Sequence, residues 1–426
     1  MVYLEVQTYD FTTTGSVNLN IYIGSRQLSA TFSNIAAIKY QFQLTASEVP
    51  SYGRLMDNSI HVKLSGINLI NAITLKARFN DMAALSVYPT ISLGTAHKVI
   101  TYCQILGSCH IGFAGLRDVS TIVSVFLPNN EKSITLELND KVKRVDTQIS
   151  VELSGRQSML LECVGCDFTN TFINSTGPVA VFAGGKSTVV RKGIKESTFL
   201  TQMPLMTSWG KQFILVNSEL DDAGDIIRII SRFNKTDVSI EGSPTVQIRY
   251  NNEQWIQRLI HKGGVQLITS TKPIMICQII YNGINHIAMI NVPPTEQFLP
   301  HPFTVPCQNS IVLIHHGNSV RSLEITGMET MSFDIVSKSV FMVRYLTRDG
   351  NNSECHIMDD GNSFGMMYTA DPKPGESYLD QLYISGYKLK VLPVLYVEII
   401  FQHYCTCVKC IFDVRYQSDL HASLIT

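Results

Sequence analysis

The sequence predicts an all-β protein built from tandem antiparallel β-sandwich-like repeats of about 95 residues, and three observations carry that reading. Short runs alternate apolar and polar residues, Gly, Pro and Asn separate those runs at close intervals, and one block of them recurs downstream. The clearest block covers 173–216. Thr176-Gly177-Pro178 is a turn signal, Val179-Ala180-Val181-Phe182 is an apolar run too short for a helix, and Gly184-Gly185 ends it as a buried strand. Met203-Pro204 and Trp209-Gly210 then lead into a second strand, Phe213-Ile214-Leu215-Val216.

From the N-terminus, Val17-Asn18-Leu19-Asn20-Ile21-Tyr22-Ile23 alternates with period two and gives a half-buried strand at the edge or lead-in of a first sheet. Ile60-His61-Val62-Lys63-Leu64 and Ile73-Thr74-Leu75-Lys76-Ala77-Arg78-Phe79 alternate in the same way. Pro89-Thr90-Ile91-Ser92-Leu93-Gly94 precedes another strand, His97 to Tyr102. Residues 226–230, the turn 233–237 and residues 238–240 read as a hairpin, with a weaker counterpart at 118–125. Only 252–261, NEQWIQRLIH, has helical spacing, through Trp255, Ile256, Leu259 and Ile260, and a strand pair is its other reading.

The block Ile268-Thr269-Ser270-Thr271-Lys272-Pro273-Ile274-Met275-Ile276 matches the pattern from Ile173 to Val181 position for position, at an offset of 95 residues. Pro293-Pro294 and Phe303-Thr304-Val305 echo Pro204 and Phe213-Ile214-Leu215, and 333–345 holds a degenerate last copy. A β-propeller is the alternative, because half-units of about 47 residues would suit four-stranded blades. The expected division is an N-terminal β module at 1–165, a central repeat at 166–262, a C-terminal repeat at 263–390 and an extension at 391–426 that does not continue the pattern.

Composition narrows the function. Apolar residues make up 45% of the chain and charged ones 16%, enough for several cores and too few charges for a coiled coil or an acidic tail. With 34 basic against 35 acidic residues, no field attracts nucleic acid. The most apolar stretch, 391–401, is interrupted by Pro393 and Glu398 and is too short to span a bilayer. The N-terminus lacks the basic and apolar regions of a signal peptide, so the chain is expected to be a fragment or to start from a late gene model.

Candidate chemical groups do not assemble into a catalytic set. Gly184-Gly185-Lys186-Ser187-Thr188 resembles the end of a phosphate loop, but Ala180 stands where its first glycine would be. His315 and His316 are adjacent on a strand and face opposite ways. Glu219-Leu220-Asp221-Asp222 and Asp359-Asp360-Gly361-Asn362 lack the alternating oxygen spacing of a calcium loop and read as solvated turns. Cys163-Val164-Gly165-Cys166 and the crowded Cys405, Cys407 and Cys410 have thiolate spacing, yet local disulfides or free thiols suit them better than a metal. Trp209 and Trp255 read as core plugs rather than exposed anchors. No catalytic residue, metal or cofactor is therefore expected.

Two readings concern covalent features. The runs 98–103 and 109–113 read as consecutive strands of a hairpin whose mouth places Cys103 opposite Cys109, within disulfide reach. Asn174, Asn234 and Asn351 are Asn-x-Ser/Thr glycosylation candidates beside turn residues.

The blocks STGPVAVFAGG at 175–185 and QMPLMTSWGKQF at 202–213 together resemble the signature of the IgGFc-binding protein N-terminal domain, found in large secreted mucus and adhesion-type proteins. The residues that carry the likeness are Gly177, Pro178, Val179, Val181, Phe182, Gly184, Gln202, Pro204, Trp209, Gly210 and Phe213, and it extends more weakly from about Ile60 to about Tyr387. Where the family usually has a cysteine before the second block, this chain has Lys195-Glu196-Ser197-Thr198. The resemblance implies a secreted, non-enzymatic recognition or structural module of mucus or surface adhesion, with protein or glycoprotein ligands and immunoglobulin Fc as partner by the family's name alone. Alternatives are the ectodomain of a membrane-anchored receptor and a hydrolase of surface glycans with paired carboxylates.

Overall fold

The computed structural model describes residues 2–9, 11–12, 16–33, 37–44, 53–57, 59–65, 68–69, 73–78, 85–86, 88, 92–103, 107–116, 119–128, 134–138, 141–145, 148–186, 199–217, 224–249, 255–261, 264–282, 286–298, 303–306, 311–316, 323–326, 328–336, 340–348, 354–359, 364–370, 380–383, 396–401, 403–404 and 409–417. They are nearly all strand, and the strands group into four units.

The first unit holds β1 (Val2–Tyr9), β2 (Phe11–Thr12), β3 (Ser16–Ile23), β4 (Arg26–Ser33), β5 (Ala37–Leu44), β6 (Ser59–Ser65), β7 (Asn68–Leu69), β8 (Ile73–Arg78) and β9 (Leu85–Ser86). The second holds β10 (Gly94–Lys98), β11 (Ser108–Gly115), β12 (Thr121–Phe126), β13 (Ile134–Leu138), β14 (Lys141–Val145), β15 (Gln148–Leu153), β16 (Ser158–Val164), β17 (Phe172–Lys186) and β18 (Phe199–Gln202). The third holds β19 (Gly210–Val216), β20 (Asp225–Ser231), β21 (Thr236–Ile240), β22 (Val246–Ile248), β23 (Trp255–Ile260), β24 (Val265–Asn282) and β25 (His286–Val292). The fourth holds β26 (Phe303–Pro306), β27 (Ile311–His316), β28 (Leu323–Thr326), β29 (Met328–Ile335), β30 (Phe341–Arg348), β31 (Glu354–Asp359), β32 (Phe364–Ala370) and β33 (Asp380–Tyr383). The strands β34 (Tyr396–Phe401), β35 (His403–Tyr404) and β36 (Lys409–Gln417) follow.

The second and third units are copies of one antiparallel sandwich. The first half of the long strand β17 pairs with β12 and β10, and its second half pairs with β11 and β18; β15 lies beyond β12, and β16 beyond β11. In the third unit β24 takes β21 and β19 on its first half and β20 and β25 on its second, with β22 and β23 outermost. One strand thus belongs to two four-stranded layers. The registers also repeat: Phe113 faces Val181 as Ile229 faces Ile276, and Gly94 faces Val179 as Gly210 faces Ile274, each glycine being followed by a register shift.

That arrangement corrects several local expectations. Thr176-Gly177-Pro178 is not a turn, and Gly184-Gly185 does not end the strand, because all five residues lie inside β17. Pro178 and Pro273 fall where the long strand changes partners, so the N–H that proline lacks is missing at a gap in the ladder. Residues 226–240 are likewise not a hairpin: β20 and β21 pair with different halves of β24 and not with each other. The run with helical spacing is strand β23, paired along its length with β20.

The offset of 95 holds for the long strands, whereas Gly94 and Gly210 are 116 residues apart. The difference is the hairpin β13–β14, inserted between β12 and β15 of the second unit. Because hydrogen-bonded sheets gather 94–202 and 210–292, position 165, placed between modules on the sequence, lies between two strands of one sheet. In the fourth unit the long strand is divided into β31, in the layer β26-β31-β28, and β32, in the layer β29-β30-β27-β32-β33. In the first unit the layers are β5-β1-β8-β9 and β4-β3-β6, and β34 from the C-terminal extension pairs with the open side of β6. The short strands β9, β18, β25 and β33 adjoin one another in turn, β33 meeting β9, so the units close into a ring.

Apolar packing runs across the unit boundaries. The core of the second unit (Phe113, Val125, Phe168, Val181, Phe199, Trp209) includes Ile230, Met275, Ile279 and Met289 of the third. The core of the third (Phe213, Ile227, Ile268, Ile276, Phe298) includes Val312, Ile314 and Val343 of the fourth. A unit of this kind buries its inner faces only in the company of its neighbour.

Candidate functional site

The signature residues are construction material for the ring. Val179, Val181 and Phe182 are fully buried, and Trp209 and Phe213 nearly so, with the Trp209 indole N–H directed at the Pro204 carbonyl at 3.5 Å. Gly184 is obligatory because a Cβ there would stand 2.0 Å from the Phe199 carbonyl oxygen of β18. Gly210 faces the Pro294 ring with no room for a side chain, and Gly94 faces the tip of Leu205, which would have to move aside for one. Gln202 has a role that its sequence context does not announce. Its Oε1 accepts the backbone N–H of Tyr88 at 2.7 Å, and its carbonyl accepts the amide of Asn291, the residue in the equivalent place on β25. On β18 and on β25 one amide side chain therefore ties the strand to the preceding unit.

The densest polar constellation among the described residues lies between the second and third units. Arg228 of β20 is 5% exposed. Its guanidinium carbon lies 4.7 Å from the centre of the Tyr102 ring and 4.4 Å from that of Trp255. It donates to the Asp167 carboxylate, to the Thr101 carbonyl, to Thr169 Oγ1 at 2.9 Å and to Gln257 Oε1 at 3.0 Å. The other Asp167 oxygen accepts from Thr101 Oγ1 at 2.8 Å and from the Thr169 N–H at 2.9 Å. Beside it Lys98 donates to Asn170 Oδ1 at 2.9 Å and to the Ser231 carbonyl at 3.0 Å, and burial draws its pKa down to about 8. These charges hold two units together; each is used up in structural bonds.

A second constellation joins Ser108, His110 and Glu162. His110 Nε2 stands 2.9 Å from Ser108 Oγ and 3.1 Å from Glu162 Oε1. A nucleophile–base–carboxylate relay uses the two ring nitrogens for different partners. Here one nitrogen faces both, so the ring cannot pass a proton along the row. His315 is buried on β27, opposite Met342, and the next residue, His316, pairs in register with Phe341. Cys277 is a free buried thiol on β24 that donates to Asn291 Oδ1 at 3.0 Å, and burial raises its pKa far above the usual thiol value.

His97 is fully buried on β10, with Nε2 3.1 Å from the Gly94 carbonyl. Burial lowers its pKa to about 4, against the opposing pull of backbone groups at Gly94, Pro204 and Met203. Between pH 6.5 and 4 the unfolded chain binds a proton here that the folded chain refuses. The site is therefore neutral for stability above pH 6.5 and costs the fold progressively more on acidification, reaching about 3 kcal/mol near pH 4. Urea unfolding of the native chain and of His97→Gln across this range should show the variant with a shallower acid limb, by about one proton. Parallel limbs would show that His97 is not held neutral.

Cys103 and Cys109 form a disulfide with Cα atoms 5.6 Å apart, and Cys163 and Cys166 form another with Cα atoms 5.8 Å apart. The first does not close a hairpin: β10 pairs with β17, while residues 99–101 lie against 169–171. Cys109 faces Cys163 across β11 and β16, so the two bridges are neighbours. No group of His, Cys, Asp and Glu among the described residues could hold a metal ion. Residues 219–222, 360–362, Cys405 and Cys407 lie outside the described residues, as does the glycosylation candidate Asn351.

The outward face of the β12 layer differs from these interiors. On β12 Thr121, Val123 and Val125 are buried, while Ile122 is 46% and Phe126 37% exposed. Asn174 on β17 is exposed between Phe172 and Thr176 on that face, and the Phe126 and Phe172 rings stack with centres 5.8 Å apart. Asn234 is exposed too, in the turn before β21, its Oδ1 accepting the Lys235 N–H at 2.9 Å.

A family model described as IgGFc binding protein matches residues 83–367. No curated protein matches the chain. Among solved structures, one titled "Ca2+-stabilized adhesin helps an Antarctic bacterium reach out and bind ice" aligns over 90% of this chain and 93% of its own at 8% identity, with a TM-score of 0.12, too low to bear on fold or function. No helix among the described residues is long and apolar enough to cross a membrane.

Proposed function

Because this chain belongs to the IgGFc-binding protein family, we propose that it is a non-enzymatic extracellular recognition and structural module, contributing to mucus or surface adhesion by binding protein or glycoprotein ligands. The observation that carries this reading is the family match itself, which spans the second and third units and most of the fourth. The geometry supports it in two ways. Arg228, Asp167, Lys98 and Gln202 are engaged in linking units, as suits a rigid scaffold more than a reactive cleft. Two disulfides suit an oxidising compartment outside the cytosol.

Immunoglobulin Fc is a candidate ligand by the family's name, and secreted mucin glycoproteins are the second. The test immobilises the whole secreted chain and passes Fc, mucin glycoprotein and an unrelated serum protein over it. Saturable binding of Fc or mucin, competed by the same ligand in solution, is the expected result. Failure of both to bind at micromolar concentration, with the chain folded by circular dichroism, overturns the proposal.

A further inference from the structure

We infer that Asn174 carries an N-linked glycan whose first sugar lies on the stacked Phe126–Phe172 pair, so that the outward face of the β12 layer is a carbohydrate platform. The inference rests on the extracellular reading above. Its residues come from two strands. Alternation on β17 puts Phe172, Asn174 and Thr176 on one face, and alternation on β12 puts Ile122, Ser124 and Phe126 on the same face. Register sets them in three rows: Phe126 opposite Phe172, Ser124 opposite Asn174, and Ile122 next to Thr176, whose hydroxyl accepts the Ile122 N–H at 2.9 Å. The acceptor asparagine is thus the centre of the patch. The stacked rings lie two residues to one side, about 7 Å along the strand, and the exposed Ile122 lies on the other.

Ile122 and Phe126 stand on the water side of β12, whose alternate residues Thr121, Val123 and Val125 are buried, and the half-buried Phe172 of β17 joins them, so the patch offers apolar surface to a cover. An N-acetylglucosamine joined to Asn174 reaches them. One side of its pyranose ring is a row of C–H groups that packs on an aromatic face, while its hydroxyls stay in water. The two rings stack on one another with centres 5.8 Å apart, and the sugar would lie against the outward side of that pair. Asn234 is exposed in a turn, where the neighbouring ring is Phe233, under the Arg232 guanidinium.

In the attachment step the Asn174 amide nitrogen attacks the anomeric carbon of a polyprenyl-diphosphate-linked oligosaccharide. The carbon–nitrogen bond forms, the bond from that carbon to the diphosphate oxygen breaks, the lipid diphosphate leaves with the electron pair, and one amide proton passes to a base. The transfer meets the chain before it folds, so the later position of Asn174 within a sheet does not obstruct it.

The test expresses the whole chain behind an added signal sequence in animal cells, so that export does not depend on where the native protein resides. Glycopeptide mass spectrometry should find Asn174 occupied, and an unmodified Asn174 peptide in folded secreted material overturns the inference. The stacking is read from thermal midpoints before and after enzymatic removal of the glycan. The native chain should lose about 2–4 °C on removal, and the Phe126→Ala variant should lose much less. Equal losses in the two overturn the platform even if Asn174 is occupied. Trimming the glycan to its first sugar, which needs no substitution, should retain the native midpoint; a full loss at that stage overturns contact with the first sugar. A chain glycosylated at Asn174 that binds neither Fc nor mucin would count against the binding proposal alone.

Discussion

Replacing Arg228 with methionine is expected to lower the unfolding free energy by about 3 kcal/mol, near the low end of the range for breaking a buried ion pair. Methionine keeps an apolar stem of similar reach and removes the planar group that lies over Tyr102 and Trp255, so the loss isolates the guanidinium. What remains is a carboxylate whose side chain is only 22% exposed and a Thr101 carbonyl deprived of a charged donor. Asp167→Asn should cost less, about 1.5–3 kcal/mol, because the cation keeps two carbonyl or amide acceptors, a hydroxyl and both rings. The double substitution should cost less than the two single losses added, by about 1–3 kcal/mol. Arg228→Lys should recover little, since an ammonium cannot reproduce a planar group that stacks on two rings while donating along its edge. Urea titrations followed by tryptophan fluorescence report directly, as Trp255 touches the altered group. A loss under about 0.5 kcal/mol for Arg228→Met would mean that water replaces the guanidinium at no cost, and the unit junction would rest on apolar packing alone.

The difference between the features that could and could not be read from the chain has a physical basis. Alternation reports the face of a strand, and it places Leu19, Ile21 and Ile23 inside and Asn18 outside, as the fold has them. The spacing of Ile173 and Ile268 reports a repeat because the long strands are equivalent in register. Turn chemistry is a local signal, and it misleads where a strand changes partners: Pro178 punctuates the ladder of β17 without turning the chain. The same limit applies to β20 and β21, whose connecting turn is real while their pairing is with β24. The Arg228–Asp167 junction leaves no pattern to detect, since its members come from two units and from strand and loop alike. Gln202 stands out in the sequence as part of the block that carries the family resemblance, but its bond to Tyr88 spans 114 residues and depends on ring closure.

Phe182→Ala is expected to cost about 3–5 kcal/mol, the range for removing a phenyl group from a closed interior. Phe182 has 0% exposure and sits on the second half of β17, opposite Gly112 on one side and Gln202 on the other. The backbone around it has little freedom to collapse into the space left behind. Gly184, two residues on, lies against the Phe199 carbonyl, and Gln202 is fixed by its bond to Tyr88 and by the amide of Asn291. A cavity that its walls cannot fill retains the full penalty of lost contacts. The third unit has Cys277 in the equivalent register, opposite Asn291, so the fold admits a smaller residue there only with a different set of neighbours. Phe182→Leu, which leaves most of the volume filled, should cost about 1–2 kcal/mol, and Val340→Ala, at a residue 58% exposed, should change stability by less than about 0.5 kcal/mol. Denaturant midpoints for the three variants at equal slope decide the matter. If Phe182→Ala fell within about 1 kcal/mol of the native chain, the inner end of β17 would be pliable, and the signature phenylalanine would have to owe its place to something other than packing.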